Sequence, residues 1–210
     1  MNKEVLNMPK LSLREAAELA LQEDGDVRGL HFSEDALEEA EGRTLEFSGC
    51  HFERCTFGAW EIDRISFVDC VFDKCEWSNG KPANSTFQRT VFRHCRLTGT
   101  EWLRAVLMNT RFENCMMDYA AFSESRMDRV VFSQCRMRES LWSEVKLVKT
   151  QFEKSDLTRA QWQRTPLNGQ DMSSCEIGGW SISLFDIRGM KVTPQQLIEL
   201  SGLLGVEIVT

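Results

Sequence analysis

Between Phe47 and Val192 every fifth residue is large and apolar, and only Pro82 interrupts the thirty positions. The series runs Phe47, Phe52, Phe57, Ile62, Phe67, Phe72 and Trp77. It resumes at Phe87, Phe92, Leu97 and Trp102 and closes with Ile182, Ile187 and Val192. A period of five fits neither a helix nor a strand. The chain therefore turns a corner every few residues, as a repeat architecture does. A second column, two residues before the large one, holds small residues: Cys50, Cys55, Cys70, Cys75, Ser85, Thr90, Cys95, Thr100, Ala105, Thr110, Cys115, Ala120. One small and one large residue of each five face a common interior. The other three, such as Glu53 and Arg54 before Cys55, are mostly polar and face water.

A longer period lies over the first. Every twentieth residue gives Phe52, Phe72, Phe92, Phe112, Phe132 and Phe152; another row gives Trp102, Phe122, Trp142 and Trp162. Like residues four repeats apart mean four sides per coil, with identical side chains stacked in ladders. The expected fold is an all-β square solenoid. At about 4.8 Å per coil, seven coils make a column roughly 35 Å long.

The flanks follow different rules. Residues 1–11 read as an arm and residues 12–24 as a helix, with a Ser12–Glu15 capping box and Leu13, Ala16, Ala17, Ala20 and Leu21 on one face. Residues 1–46 are expected to form an N-terminal cap over a column spanning 47–192, because a solenoid must cover its end coil. Turn formers in Ser78-Asn79-Gly80-Lys81-Pro82-Ala83-Asn84 predict a local break over 78–86. Gln170, Trp180, Phe185 and Met190 replace small residues, so the column should distort over 168–190. Thr193 then caps a helix with Pro194 at its first position, and Val206 to Val209 reads as a short strand.

The five-residue unit, as in Ser155-Asp156-Leu157-Thr158-Arg159, resembles the pentapeptide-repeat family over about 70% of the chain. That resemblance implies a right-handed quadrilateral β-helix. Three further segments are similar to the chromosomal Qnr-type proteins of Gram-positive bacteria: Cys95-Arg96-Leu97-Thr98-Gly99-Thr100, Met117-Asp118-Tyr119-Ala120-Ala121-Phe122 and Gly189-Met190-Lys191-Val192-Thr193-Pro194-Gln195-Gln196. This likeness implies a homodimer that acts as a DNA mimic and protects type II DNA topoisomerases from quinolones. The apolar face of 193–210, with Leu197, Leu200, Leu204, Val206 and Ile208, supports dimerisation independently.

Charge complicates DNA mimicry. The net charge is −7, but residues 1–46 carry all of it, with 12 acids and 5 bases. Residues 47–192 hold 18 acids and 20 bases. Duplex DNA has one charge per about 1.7 Å, so a 35 Å mimic wants on the order of twenty negatives. A topoisomerase contact would then rest on local acids, and Glu53, Asp73, Glu113 and Glu153 are the candidates because they recur along one side. A second row is basic, with Arg89, Arg126, Arg129, Lys146 and Lys149. It gives the alternative of an anion or nucleic-acid binder, although a solvated face is the better reading and direct DNA binding is not expected. A scaffold with another protein partner is the remaining alternative.

Chemistry is sparse. His31, His51 and His94 are scattered, and neither a phosphate loop nor an HExxH motif occurs. All eight cysteines fall in the small interior column, which reads as packing and not as a disulfide or metal framework. No catalytic residue, metal or cofactor is expected, and the protein reads as a non-enzyme. No run approaches the roughly 18 apolar residues of a membrane span. The start, Met1-Asn2-Lys3-Glu4, lacks a signal-peptide core, so a cytoplasmic location is expected.

Overall fold

The computed structural model describes residues 11–23 and 25–205. The chain is a four-sided right-handed β-helix of parallel strands with a helix at each end. Helix α1 (Leu13–Gln22) carries the expected capping box: the Ser12 hydroxyl accepts from the Glu15 amide, and the Ser12 amide donates to the Glu15 carboxylate. It buries Leu13, Ala16, Ala17 and Ala20. Strands β1 (Asp26–Arg28), β2 (His31–Ser33), β3 (Ala36–Ser48), β4 (His51–Glu53) and β5 (Thr56–Val68) follow. The ladder thus begins at Asp26 and not at Phe47, since Val27, Phe32 and Leu37 already fill interior positions beneath α1.

The corners explain the period of five. Residues at numbers ending in 4 or 9 are left-handed at nearly every coil, from Gly29 and Glu34 to Arg164, with φ between 47° and 68°. Each such residue ends one three-residue strand, and the small residue after it turns inward to start the next side. Sheets one and two each hold seven strands, centred on Val27 to Leu147 and on Phe32 to Phe152. The third side is held by single bridges, such as Glu76 with Arg96. The fourth has four strands, from Glu101–Leu103 to Gln161–Gln163.

Aromatic ladders fill the interior. Phe72, Phe92, Phe112 and Phe132 stack at 4.5, 4.8 and 4.9 Å between ring centroids. Phe122, Trp142 and Trp162 stack at 4.3 and 4.9 Å. All eight cysteines are buried and free. Seven of the thiols, all but that of Cys175, donate to backbone carbonyls of the preceding coil, as Cys75 does to Phe52 at 3.3 Å and Cys95 to Phe72 at 3.4 Å.

Two irregularities fall away from the expected place. The segment 78–86 keeps the frame: Pro82 is buried, Asn79 and Asn84 make ordinary corners, and the corner bonds from Asn84 to Leu103 and from Glu101 to Gly80 persist. Proline removes one amide, which costs the fourth side its strand at 81–83 but produces no bulge. The real distortion lies one coil earlier. Glu39, Thr44, Ala59 and Arg64 are not left-handed, so β3 and β5 run straight for 13 residues each and pair throughout, with Leu37 beside Phe57 and Phe47 beside Phe67. Here the small column holds Leu45, Trp60 and Ile65. Leu45 and Ile65 are buried, and the Trp60 indole donates to the Leu37 carbonyl at 3.0 Å while its ring packs 4.8 Å from Trp77. Side chains of that size need a wider interior than two closed corners leave. Helix α1 covers this opened side, and Gly42 admits it: a Cβ there would lie 2.6 Å from a Leu21 methyl.

At the other end the expected distortion over 168–190 is present. Sheets one and two stop at Lys146–Val148 and Gln151–Glu153. Helix α2 (Pro194–Leu200) starts from the Thr193 capping box, with Pro194 in its first turn. The buried Gln196 amide donates to the carbonyls of Met172 and Cys175 at 2.8 and 2.7 Å, which fixes α2 across the end of the column. A short 3-10 turn over Ser201–Leu204 follows. The strand expected at 206–209 and the arm at 1–10 lie outside the described residues.

Candidate functional site

With the interior filled by side chains, the outward positions are what a partner meets. The β-ladder sets them in register at one-coil spacing. Along sheet two the position after each central residue reads Ser33, Glu53, Asp73, Arg93, Glu113, Ser133, Glu153. The four candidate acids therefore do share one side, but Arg93 and Ser133 divide them. Three are paired. Glu53 meets Arg54 at 2.9 Å, Asp73 meets Lys74 at 3.9 Å, and Glu113 lies between Arg93 and Arg111 at 3.1 and 3.0 Å. The Arg111 hydrogen bond, with Arg93 behind it, holds the Glu113 carboxyl below its ordinary range. Glu153 has no ion pair among the described residues.

Corner residues pair vertically. Arg54 reaches Glu34 one coil up, and Arg89 makes a two-pronged contact with Asp69 at 2.5 and 2.7 Å. Arg104 bonds Asn84, Arg129 bonds Asn109, and Arg164 bonds Glu144. Exposed pairs of this kind contribute little each, yet they neutralise the surface locally. Of the basic row, Arg89 and Arg129 are engaged in this way. Arg126 and Lys146 are neighbours across the ladder, and with Lys149 they have no carboxylate partner among the described residues.

The C-terminal apolar face divides. Leu200 is buried against the column, whereas Leu197 and Ile198 are 61% and 51% exposed. Leu204 closes the 3-10 turn; Val206 and Ile208 lie outside the described residues. Two residues that the sequence pattern did not single out as contacts join this surface class: Leu184 and Phe185, 43% and 74% exposed. The Arg188 guanidinium lies 4.9 Å from the Phe185 ring centre. Their signal was available, since 184 is a failed corner and Phe185 is too large for the small column.

Among the described residues no group of three or more His, Cys, Asp or Glu is arranged to hold a metal ion. No described helix is long and apolar enough to cross a membrane.

The family model for the pentapeptide repeat region matches residues 45–120 and again 85–162, together more than half of the chain. The chain belongs to the pentapeptide repeat family. No curated protein matches the sequence. Solved structures similar to this pentapeptide repeat protein include QnrB1, described as a plasmid-mediated fluoroquinolone resistance protein. It is 16% identical, with 89% of this chain and 100% of that one covered at a TM-score of 0.30. HetL of the cyanobacterium Nostoc, involved in heterocyst differentiation regulation, is 11% identical over 83% of this chain and 92% of its own, at 0.32. A pentapeptide repeat protein of the Arabidopsis thaliana thylakoid lumen is 14% identical over 63% and 72%, at 0.34.

Proposed function

We propose that this protein is a non-enzymatic interaction protein of the cytoplasm that binds a type II DNA topoisomerase, as a rod-shaped mimic of DNA, and protects it from quinolones. The observation that carries this reading is the column itself. Two of its sides carry seven in-register strands each, a stack of seven coils roughly 34 Å long at strand spacing, about one turn of duplex DNA. The Qnr-like segments of the sequence and the quinolone-resistance role named for QnrB1 point the same way. Because most of the column's charges are paired, contact would depend on shape and on local acids, with Glu153 the least engaged of Glu53, Asp73, Glu113 and Glu153. Binding should therefore respond to salt less steeply than DNA binding does.

The same reading includes a two-fold homodimer through the C-terminal end. Leu197 and Ile198 supply its exposed apolar face, with Leu184 and Phe185 available beside the column. Sedimentation of the intact chain as a dimer at micromolar concentration, and loss of the dimer in Leu197→Glu with Ile198→Glu, is the expected outcome.

The functional test is a supercoiling assay with purified gyrase and ciprofloxacin. The protein in molar excess should restore supercoiling, and replacing the four acids by alanine should reduce the effect. Failure of the wild type leaves a scaffold for another partner. The unpaired Arg126, Lys146 and Lys149 favour one second reading, an anion or nucleic-acid contact; a salt-dependent shift of duplex DNA would select it.

A further inference from the structure

The column splits open at one corner below its last full strands. At earlier coils two backbone bonds close this corner, as from Arg129 to Val148 at 2.8 Å and from Gln151 to Val130 at 2.9 Å. Their equivalents one coil on, from Lys149 to Asn168 and from Asp171 to Thr150, are not formed. Two residues account for this. Pro166 stands where Arg126 and Lys146 donate to the coil above, and proline has no amide hydrogen. Gln170 stands in the interior column directly after Thr110, Val130 and Thr150, and its longer side chain wedges the corner. The other two sides stay bonded, Leu157 to Glu176 and Trp162 to Ser181, both at 2.8 Å. The result is a wedge-shaped cleft of about 700 Å³, with Lys149, Thr150 and Glu153 on one wall and Asn168, Gln170 and Asp171 on the other. That volume suits a bound ligand.

Thr150 marks the cleft as more than a gap. It is 5% exposed, and its hydroxyl has no hydrogen-bond partner. Its equivalents Thr90 and Thr110 donate to the carbonyls of Phe67 and Phe87, each at 3.1 Å. A buried hydroxyl left unpaired costs about 1–3 kcal/mol, so a ligand that satisfies it gains by that route. The Lys149 amide, the Thr150 carbonyl and the Asp171 amide lack backbone partners too. Donors and acceptors spaced along a free strand edge are matched by the backbone of an extended peptide. Charge gives the site a direction, with Lys149 at one end of its wall and Glu153 at the other, and Asp171 on the facing wall.

We propose that this cleft binds an extended peptide segment of another protein as an added strand, parallel to the strand 151–153, with an acidic residue opposite Lys149 and a basic one four residues later opposite Glu153. The site does not rest on the topoisomerase reading, although Glu153 is common to both. The test uses the full chain and two capped pentapeptides of identical composition, Asp-Ser-Val-Thr-Lys and its charge reversal Lys-Ser-Val-Thr-Asp. Calorimetry should give the first about ten-fold tighter than the second, a difference of about 1.4 kcal/mol. The isosteric Thr150→Val should weaken it by several-fold and, by removing the unpaired hydroxyl, raise the unfolding midpoint instead of lowering it. Amide exchange at Lys149 and Asp171 should slow on binding. Equal affinity for the two peptides, no binding at millimolar concentration, or protection elsewhere overturns the proposal. So does faster exchange at Lys149 and Asp171 after removal of residues 206–210, which would make the chain's own C-terminus the occupant.

Discussion

Replacing Phe112 by alanine tests the four-sided interior most directly. The ring is fully buried, stacked between Phe92 at 4.8 Å and Phe132 at 4.9 Å, and edge-on to Trp102 at 5.8 Å. Burying and then deleting a phenylalanine costs about 3–5 kcal/mol. This site belongs at the upper end, because strands above and below pin the walls and prevent collapse into the cavity. Each aromatic pair adds about 0.5–1.5 kcal/mol beyond area, and three pairs are lost. The adjacent Glu113 provides the control. It faces outward, and removing its ion pairs should cost less than about 1 kcal/mol.

The two neighbours should therefore differ by about 4 kcal/mol. With a urea slope of about 2–3 kcal/mol per molar, that is a midpoint difference of about 1.3–2 M. A solenoid transmits stability only between neighbouring repeats, so the cavity should also uncouple the coils on its two sides. Tryptophan fluorescence and far-UV circular dichroism should coincide for the wild type and separate for Phe112→Ala. Phe112→Asp adds an unpaired buried charge and should not fold. Equal midpoints for Phe112→Ala and Glu113→Ala would refute the assignment of these two positions to inside and outside.

Three further outcomes follow from the same geometry. The eight buried thiols should react with an aromatic disulfide reagent only after unfolding, since burial raises the thiols of Cys95 and Cys175 and closes off access; rapid native labelling of five or more would contradict the interior column. At the left-handed corner Asn109 (φ 52°), valine should cost about 1–3 kcal/mol while glycine is nearly neutral, measured as urea midpoints. The carboxyls of Glu113 and Asp69 are held low by hydrogen bonds to Arg111 and Arg89. Their stabilisation is thus full above the unfolded values near about 4 and is lost as pH falls through the lower folded values; Glu113→Gln with Asp69→Asn should flatten the acid limb and leave stability between about pH 5 and 8 independent of pH.

Much of this fold is legible because the interior is one-dimensional. A position is inside or outside by its number alone, so the Phe ladder, the Trp row and the cysteine column could all be placed before any geometry was known. The caps of both helices were equally local: Ser12 with Glu15, and Thr193 with Pro194. Other features depend on what a residue meets one coil away, which no five-residue window contains. The acids at 53, 73, 113 and 153 share a side as expected, but Arg93 enters their row only through the twenty-residue register. Leu200 turned toward the column because Gln196 anchors α2 to Met172 and Cys175.

The opened side at 39–64 shows which positions carry the decisive information. The corner residues themselves do not: Glu39 and Arg64 are straight, while Glu34 and Arg54 are left-handed. Only Thr44, being β-branched, resists the left-handed region on its own account. The small column discriminates better. Valine is tolerated there, since Val130 and Val145 are buried behind ordinary corners at Arg129 and Glu144. Leu45, Trp60 and Ile65 are not, and the corners before them are absent. At the far end Gln170 keeps its own corner, since Gly169 is left-handed at φ 77°, and what is lost is the bonding to the coil before it, where Pro166 has already removed a rung. Side-chain size at Leu45, Trp60 and Ile65, with Ala40 paired beside Trp60, thus accounts for the straight run under α1, whereas at the far end glycine corners at 169 and 179 admit Gln170 and Trp180 and it is the bonding between coils beside Thr150 that gives way.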